Sequence, residues 1–193
     1  MKDTGTTVFS VLATILDSLP GRARSLAADF SALGTYCLSP GKRRNVRRNL
    51  SIVGTPLSGR KVFGIFRNHS MNMIEMFTSS RWDGDEIMDR VDFPHRDVLD
   101  EALAAGKGAI LATAHLGNWE LPGLLLGSLG YPLSVVAGQQ MNSFLTDSVK
   151  RAKEEKGIVV IGPGQSYRKL YRILRGGGLI ALLLDGDIFE GGV

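Results

Sequence analysis

The sequence predicts an α/β fold: a largely parallel sheet flanked by helices and preceded by an N-terminal helical region. Three observations carry this. In the C-terminal half, short apolar runs of strand length alternate with helix-length segments. Those runs are apolar along their whole length, as strands buried on both faces are. The N-terminal quarter holds only helix-length segments and a concentration of arginines. We therefore divide the 193 residues into a basic, membrane-proximal helical region, 1–55, and an α/β domain, 56–193.

Taken in order, Thr6–Leu19 reads as a short helix ending at Pro20, either packed as a first helix or lying in a membrane interface. Its apolar run, Val8–Leu16, is too short to span a bilayer. Arg22–Leu38 is a second helix, closed by Ser39-Pro40-Gly41. Lys42–Leu50 is a third, with Val46 and Leu50 on one side and four arginines around the rest. Pro56–Arg81 is the longest periodic segment, an amphipathic helix with Val62, Phe66, Met73 and Phe77 on its stripe. His69 falls on this same stripe and is expected to be a core histidine with its hydrogen bond satisfied. Asp83–Asp100 is acidic and turn-prone, with His95 in a loop, and Val98–Ala105 forms a short helix. Strands follow at Ala109–Ala114, Pro132–Ala137, Ile158–Ile161 and Leu179–Leu184. Between them lie helices at Trp119–Leu129, Asn142–Lys156 and Gln165–Arg175.

Charge and composition narrow the function. Cys37 is the sole cysteine, which excludes an internal disulfide and fits a reducing compartment. Three scattered histidines without a His-Glu-x-x-His pattern make a poor ligand set, so neither metal nor cofactor is expected. Between Gly21 and Ser70 ten basic residues stand against Asp29 alone, whereas Met71–Ala105 holds nine acids against three arginines. The basic end suits an anionic membrane surface or an acidic carrier protein, or is simply a solvated face. No aromatics interleave its arginines, which argues against nucleic acid.

The chemistry concentrates in Gly108–Gly130, GAILATAHLGNWELPGLLLGSLG. His115 sits on the turn leaving a strand, and Glu120 in the first turn of the next helix, which Asn118 can cap. Gly117 lets the chain fold so that imidazole and carboxylate can meet. That makes a general base and its orienter at the carboxyl end of a strand, where open α/β sheets place their sites. No Gly-x-Ser-x-Gly elbow supplies a nucleophile, so the attacking hydroxyl is expected from the substrate. The N–H groups of Gly117–Trp119 can steady a developing oxyanion.

AHLGNWE between a buried strand and an apolar helix resembles the His-x4-Asp/Glu motif of the lysophospholipid acyltransferase superfamily. More narrowly, it resembles the bacterial lipid A late acyltransferases and their phosphatidylinositol-mannoside relatives. SLPGRARSLAADFSALG, RRNVRRNL and LLLDGDIFEGGV extend the resemblance over most of the chain. It implies His115 as general base supported by Glu120. It also implies an acyl thioester donor, on acyl carrier protein or coenzyme A, and a membrane glycolipid hydroxyl, such as that of a lipid A precursor, as acceptor. The implied location is the cytoplasmic face of the bacterial inner membrane. Where that family carries an arginine after the second strand, this chain reads Gly138-Gln139-Gln140, which turns attention to Gln140 and to Lys150 or Arg151 as substrate contacts. The family's Asp-Gln-Asp is Asp185-Gly186-Asp187 here, making Asp185 a further candidate. The family also continues past the point where this chain stops, so the sheet is expected to be incomplete.

Two other readings compete. Gly162-Pro163-Gly164-Gln165-Ser166-Tyr167 follows a strand and opens a helix, as a dinucleotide fingerprint does. Tyr167 stands where that fingerprint needs a small residue, and Pro163 removes an amide. The remaining possibility is a non-catalytic membrane-surface module.

Overall fold

The computed structural model describes residues 4–136, 150–162 and 167–185. The chain divides into two compact units, one of Val11–Thr78 and one of Ser79–Val193 with Met1–Ser10.

The first unit is helical, built from α1 (Thr4–Ser18) from Val11 onward, α2 (Gly21–Leu38), α3 (Pro40–Ile52) and α4 (Gly59–Ser79) as far as Thr78. Pro40 opens α3, where its missing N–H costs nothing, and Ser58 caps α4 by accepting from the Lys61 N–H at 3.2 Å. Ala32, Val62 and Phe66 form the core, with Tyr36, Val46, Leu50 and Phe63 packed against it. Val46 and Leu50, which share one side of α3 in the sequence, are the residues of that helix packed against this core. Arg67 joins α4 to α2, its Nε donating to Asp29 at 2.5 Å and its Nη2 to Ser25 at 2.8 Å. His69 corrects the expectation of a core histidine, because it is exposed. The buried row on α4 advances by fours through Val62, Phe66, Ser70, Ile74 and Thr78. His69 lies off that row, as does half-exposed Ile65. Among the described residues no helix is long and apolar enough to cross a membrane.

The second unit carries α5 (Gly84–Met88), α6 (Arg96–Ala104), β1 (Ala109–Thr113), α7 (Glu120–Ser128) and β2 (Leu133–Val136). A helical stretch at 150–155 (α8), β3 (Val159–Ile161), α9 (Tyr167–Arg175) and β4 (Leu179–Leu183) follow. The strands form one sheet in the order β1-β4-β2-β3, every pair parallel. The fold class and each expected strand agree with the sequence reading to within about two residues at the ends. The acidic stretch adds α5, whose capping box pairs the Asp83 carboxylate with the Glu86 N–H and the Glu86 carboxylate with the Asp83 N–H. The proposed helix residues 142–149 lie outside the described residues.

The last of the described strands, β4, occupies an inner position between β1 and β2, which is why Leu179 and Ile180 are buried. Trp82, Ile87, Leu99, Leu124–Leu126, Leu133, Ile158 and Leu179 make the core. Leu124, Leu125 and Leu126 are consecutive and all buried, so α7 is enclosed around most of its circumference. Each leucine contributes about 1.5–3 kcal/mol by leaving water, which holds the start of α7 firmly against the sheet.

Candidate active site

Parallel strands direct all their carboxyl ends to one edge of the sheet, and the site forms there. β1 and β4 pair with Thr113 beside Leu183, and the ladder's last bond runs from the Leu184 N–H to the Thr113 carbonyl at 2.9 Å. Extending that register by two residues puts Asp185 beside His115. The carboxylate accepts the His115 backbone N–H at 2.9 and 3.0 Å from its two oxygens. It also lies 2.9 Å from the ring Nδ1. Both side chains are nearly half exposed, so the pair faces solvent.

These bonds determine the state of the pair. The His115 backbone N–H, and then the imidazole, hold the Asp185 carboxyl below its ordinary value of 3.8. Its ionised form is therefore favoured in the folded chain, and this stabilisation is lost only as pH falls through the lowered value. An ionised carboxylate can only accept, so Nδ1 carries the hydrogen of the neutral ring and Nε2 keeps its lone pair. Trp119 meets the ring edge-on, with centroids 5.0 Å apart. Tautomer and orientation are thus both constrained, and Nε2 makes no hydrogen bond among the described residues.

Glu120 does not meet the imidazole as the spacing suggested. It is buried, and its Oε2 lies 2.7 Å from the Nζ of Lys153 on α8. The first turn of α7 points this carboxylate into the interior, and Lys153 satisfies it there. The pair ties α7 to α8.

Gly117 has φ +58°, the left-handed turn that takes the chain from His115 into α7, and nothing lies within 4 Å of a Cβ built on it. Asn118 caps α7 as expected, its Oδ1 accepting from the Glu120 and Leu121 N–H groups at 3.2 and 3.3 Å. The Asn118 Nδ2 is buried with no partner among the described residues. With those two amides occupied, the N–H groups of Gly117, Asn118 and Trp119 are the ones left at the helix start. Arg151 is exposed on α8. Gln140 and residues 163–166 of the glycine-rich turn lie outside the described residues, as do Gly186 and Asp187. No cluster of three or more His, Cys, Asp or Glu suited to a metal occurs among the described residues.

Of the candidates, the fold brings His115 and Asp185 together, with Gly117 and Asn118 on the turn that follows His115, and buries Glu120 against Lys153. Sequence reading missed the His115–Asp185 contact and Lys153 as the partner of Glu120. The only sequence signal for the first was an acid closing an apolar strand, and that becomes a contact only once β4 is known to lie beside β1.

An imidazole oriented by an acid at the open edge of a parallel sheet has the geometry to accept a proton from a bound hydroxyl. The chain matches the family model described as bacterial lipid A biosynthesis acyltransferase over residues 4–193, and it belongs to that family. It is similar to a phosphatidylinositol mannoside acyltransferase of Mycolicibacterium smegmatis, with 27% identity over 172 residues, covering 85% of this chain and 57% of that protein. It is also similar to a phosphatidylinositol mannoside acyltransferase of Mycobacterium tuberculosis, with 32% identity over 101 residues, half of this chain and 32% of that protein. The matched stretch thus spans little more than half the length of the first relative and about a third of the second.

Proposed function

We propose that the protein transfers a fatty acyl group from a thioester to a hydroxyl of a membrane glycolipid, with His115 as general base. The observation that carries this reading is the Asp185–His115 hydrogen bond at the exposed carboxyl edge of the sheet. Nε2 takes the proton of the acceptor hydroxyl as its oxygen attacks the thioester carbonyl carbon. The negative charge gathering on the carbonyl oxygen is met by the N–H groups of Gly117–Trp119. Collapse of the tetrahedral intermediate breaks the carbon–sulfur bond. The departing thiolate takes the proton from the imidazolium, leaving an ester and a free thiol. Asp185 steadies the imidazolium while it exists. Glu120 acts as a positioning residue, fixing the first turn of α7 through Lys153.

Family membership supports the reaction class, and the names of the mycobacterial relatives support a glycolipid acceptor. We assign the donor as an acyl thioester on acyl carrier protein, with coenzyme A as the alternative. The acceptor is a sugar-linked hydroxyl such as that of a lipid A precursor. The protein works as a peripheral enzyme at the cytoplasmic face of the inner membrane.

The test is acyl transfer from labelled acyl carrier protein to extracted glycolipid, read by mass spectrometry of the product. His115→Ala is expected to lower kcat by about 10²–10⁴, the usual contribution of a positioned base. Asp185→Asn should lower it substantially while leaving the unfolding midpoint nearly in place. Transfer surviving at close to the native rate in His115→Ala would refute the mechanism.

A further inference from the structure

The first unit contains a cleft of about 330 Å³ lined by Tyr36, Pro40, Arg43, Arg44 and Arg47, remote in sequence from the site above. We propose that this cleft binds the phosphate of an anionic phospholipid headgroup at the membrane surface. The inference rests on the reading that the protein acts on a membrane lipid, and it adds the site and the headgroup chemistry.

Four features of the cleft carry it. Its floor is rigid, because the Tyr36 ring packs edge-on against Phe63 and Phe66 with centroids 5.7 and 5.5 Å away. Arg43 is fixed over that ring, 5.1 Å from its centroid, and its Nη1 donates to the Tyr36 carbonyl at the end of α2. Arg44 and Arg47 are three residues apart on α3, hence neighbours on the helix, and both are exposed. Among the described residues no ion pair neutralises them, and Asp29, the only acid between Gly21 and Ser70, is bonded to Arg67. Three guanidinium groups around one concave floor offer paired donors suited to phosphate oxygens.

The neighbouring surface selects a lipid over a soluble phosphate. α2, which supplies Tyr36, exposes Leu26, Phe30 and Leu33 at successive helical turns, with 58%, 73% and 50% of each accessible. Leu33 and Tyr36 are three residues apart and so adjacent on the helix. A headgroup seated in the cleft would leave that apolar row beside the acyl boundary, the arrangement of an interfacial amphipathic helix.

The test is binding of the full chain to phosphatidylcholine vesicles with and without phosphatidylglycerol. The comparison includes the Arg44→Gln/Arg47→Gln and Phe30→Ser/Leu33→Ser variants, and circular dichroism checks their folding. Arg43 is left intact because it also holds the end of α2. The arginine pair should lose roughly thirty-fold in affinity for the anionic vesicles, about fivefold for each charge near such a surface. It should bind pure phosphatidylcholine as the native chain does. The Phe30/Leu33 variant should weaken on both vesicles. Equal affinity of the arginine variant and the native chain for anionic vesicles would overturn the assignment. Binding of inorganic phosphate that is lost in the arginine variant, with no preference of the native chain for anionic over pure phosphatidylcholine vesicles, would indicate a soluble ligand and overturn it too. So would loss of acyl carrier protein binding with vesicle binding unchanged. His115→Ala should bind vesicles normally, so this proposal and the catalytic one fail by different readouts.

Discussion

Lys153 and Glu120 illustrate how one residue's surroundings set its role. Their charged atoms are 2.7 Å apart, with 11% and 9% of the two side chains exposed. Two such groups carry a large desolvation cost that their mutual attraction offsets, so neither is tolerated alone. Lys153→Met should therefore destabilise the chain by about 3–5 kcal/mol, by leaving a buried carboxylate without its cation. The double variant Glu120→Leu/Lys153→Met should return to near the native stability, since an apolar pair of similar volume needs no compensation. Urea unfolding of the singles and the double decides it. A Lys153→Met variant within error of the native chain would mean that the carboxylate finds water instead. Five residues of separation suggested that Glu120 reaches His115. The first turn of an otherwise buried helix turned it inward, and that preference follows from a tertiary neighbour thirty-three positions on, which local spacing does not contain.

At the scale of elements, two glycines at the two ends of β1 do different work. Gly108 enters the strand at φ +69°, and a Cβ there would lie 2.5 Å from the Leu174 carbonyl oxygen and 2.7 Å from that of Gly178. Both obstacles are backbone, so they cannot swing away. Gly117 leaves toward α7 at φ +58° into open space. Gly117→Ala should cost about 1–2 kcal/mol, the penalty of a left-handed backbone alone. Gly108→Ala adds an overpacking cost of about 1–3 kcal/mol and should be clearly the more damaging of the two. Equal unfolding midpoints for the two variants would show that the α9–β4 turn yields. These elements were readable beforehand because their signals are local. Apolar run length marked the strands, Asn118 the start of α7, and proline and glycine the breaks. The capping box at Asp83 and Glu86 was equally local, and its helix went unrecognised because the acidic composition around it reads as a turn.

Across the whole chain, what escaped the sequence was order in the sheet. Periodicity identified four parallel strands, yet nothing in any strand says that β4 inserts between β1 and β2. That insertion creates the His115–Asp185 contact, since the two are seventy residues apart in sequence and side by side in space. It also predicts where the sheet resists opening. β4 is bonded along both edges, to β1 over five residue pairs and to β2 over three, whereas β1 pairs with β4 alone and β3 with β2 alone among the described strands. Opening β4 must break both ladders and uncover Leu179 and Ile180, which are essentially inaccessible, while β1 leaves Ile110 more than half exposed. In native-state hydrogen exchange the Leu179–Leu183 amides that donate to β1 and β2 should therefore be the slowest of the sheet, and those of β3 faster by at least tenfold. Protection of the His115 amide should follow the β4 amides in a denaturant series, because its acceptor, Asp185, lies two residues past the end of that strand. If β3 proved the best protected strand, or if His115 exchanged independently of β4, the insertion would not be the element that holds imidazole and carboxylate in register.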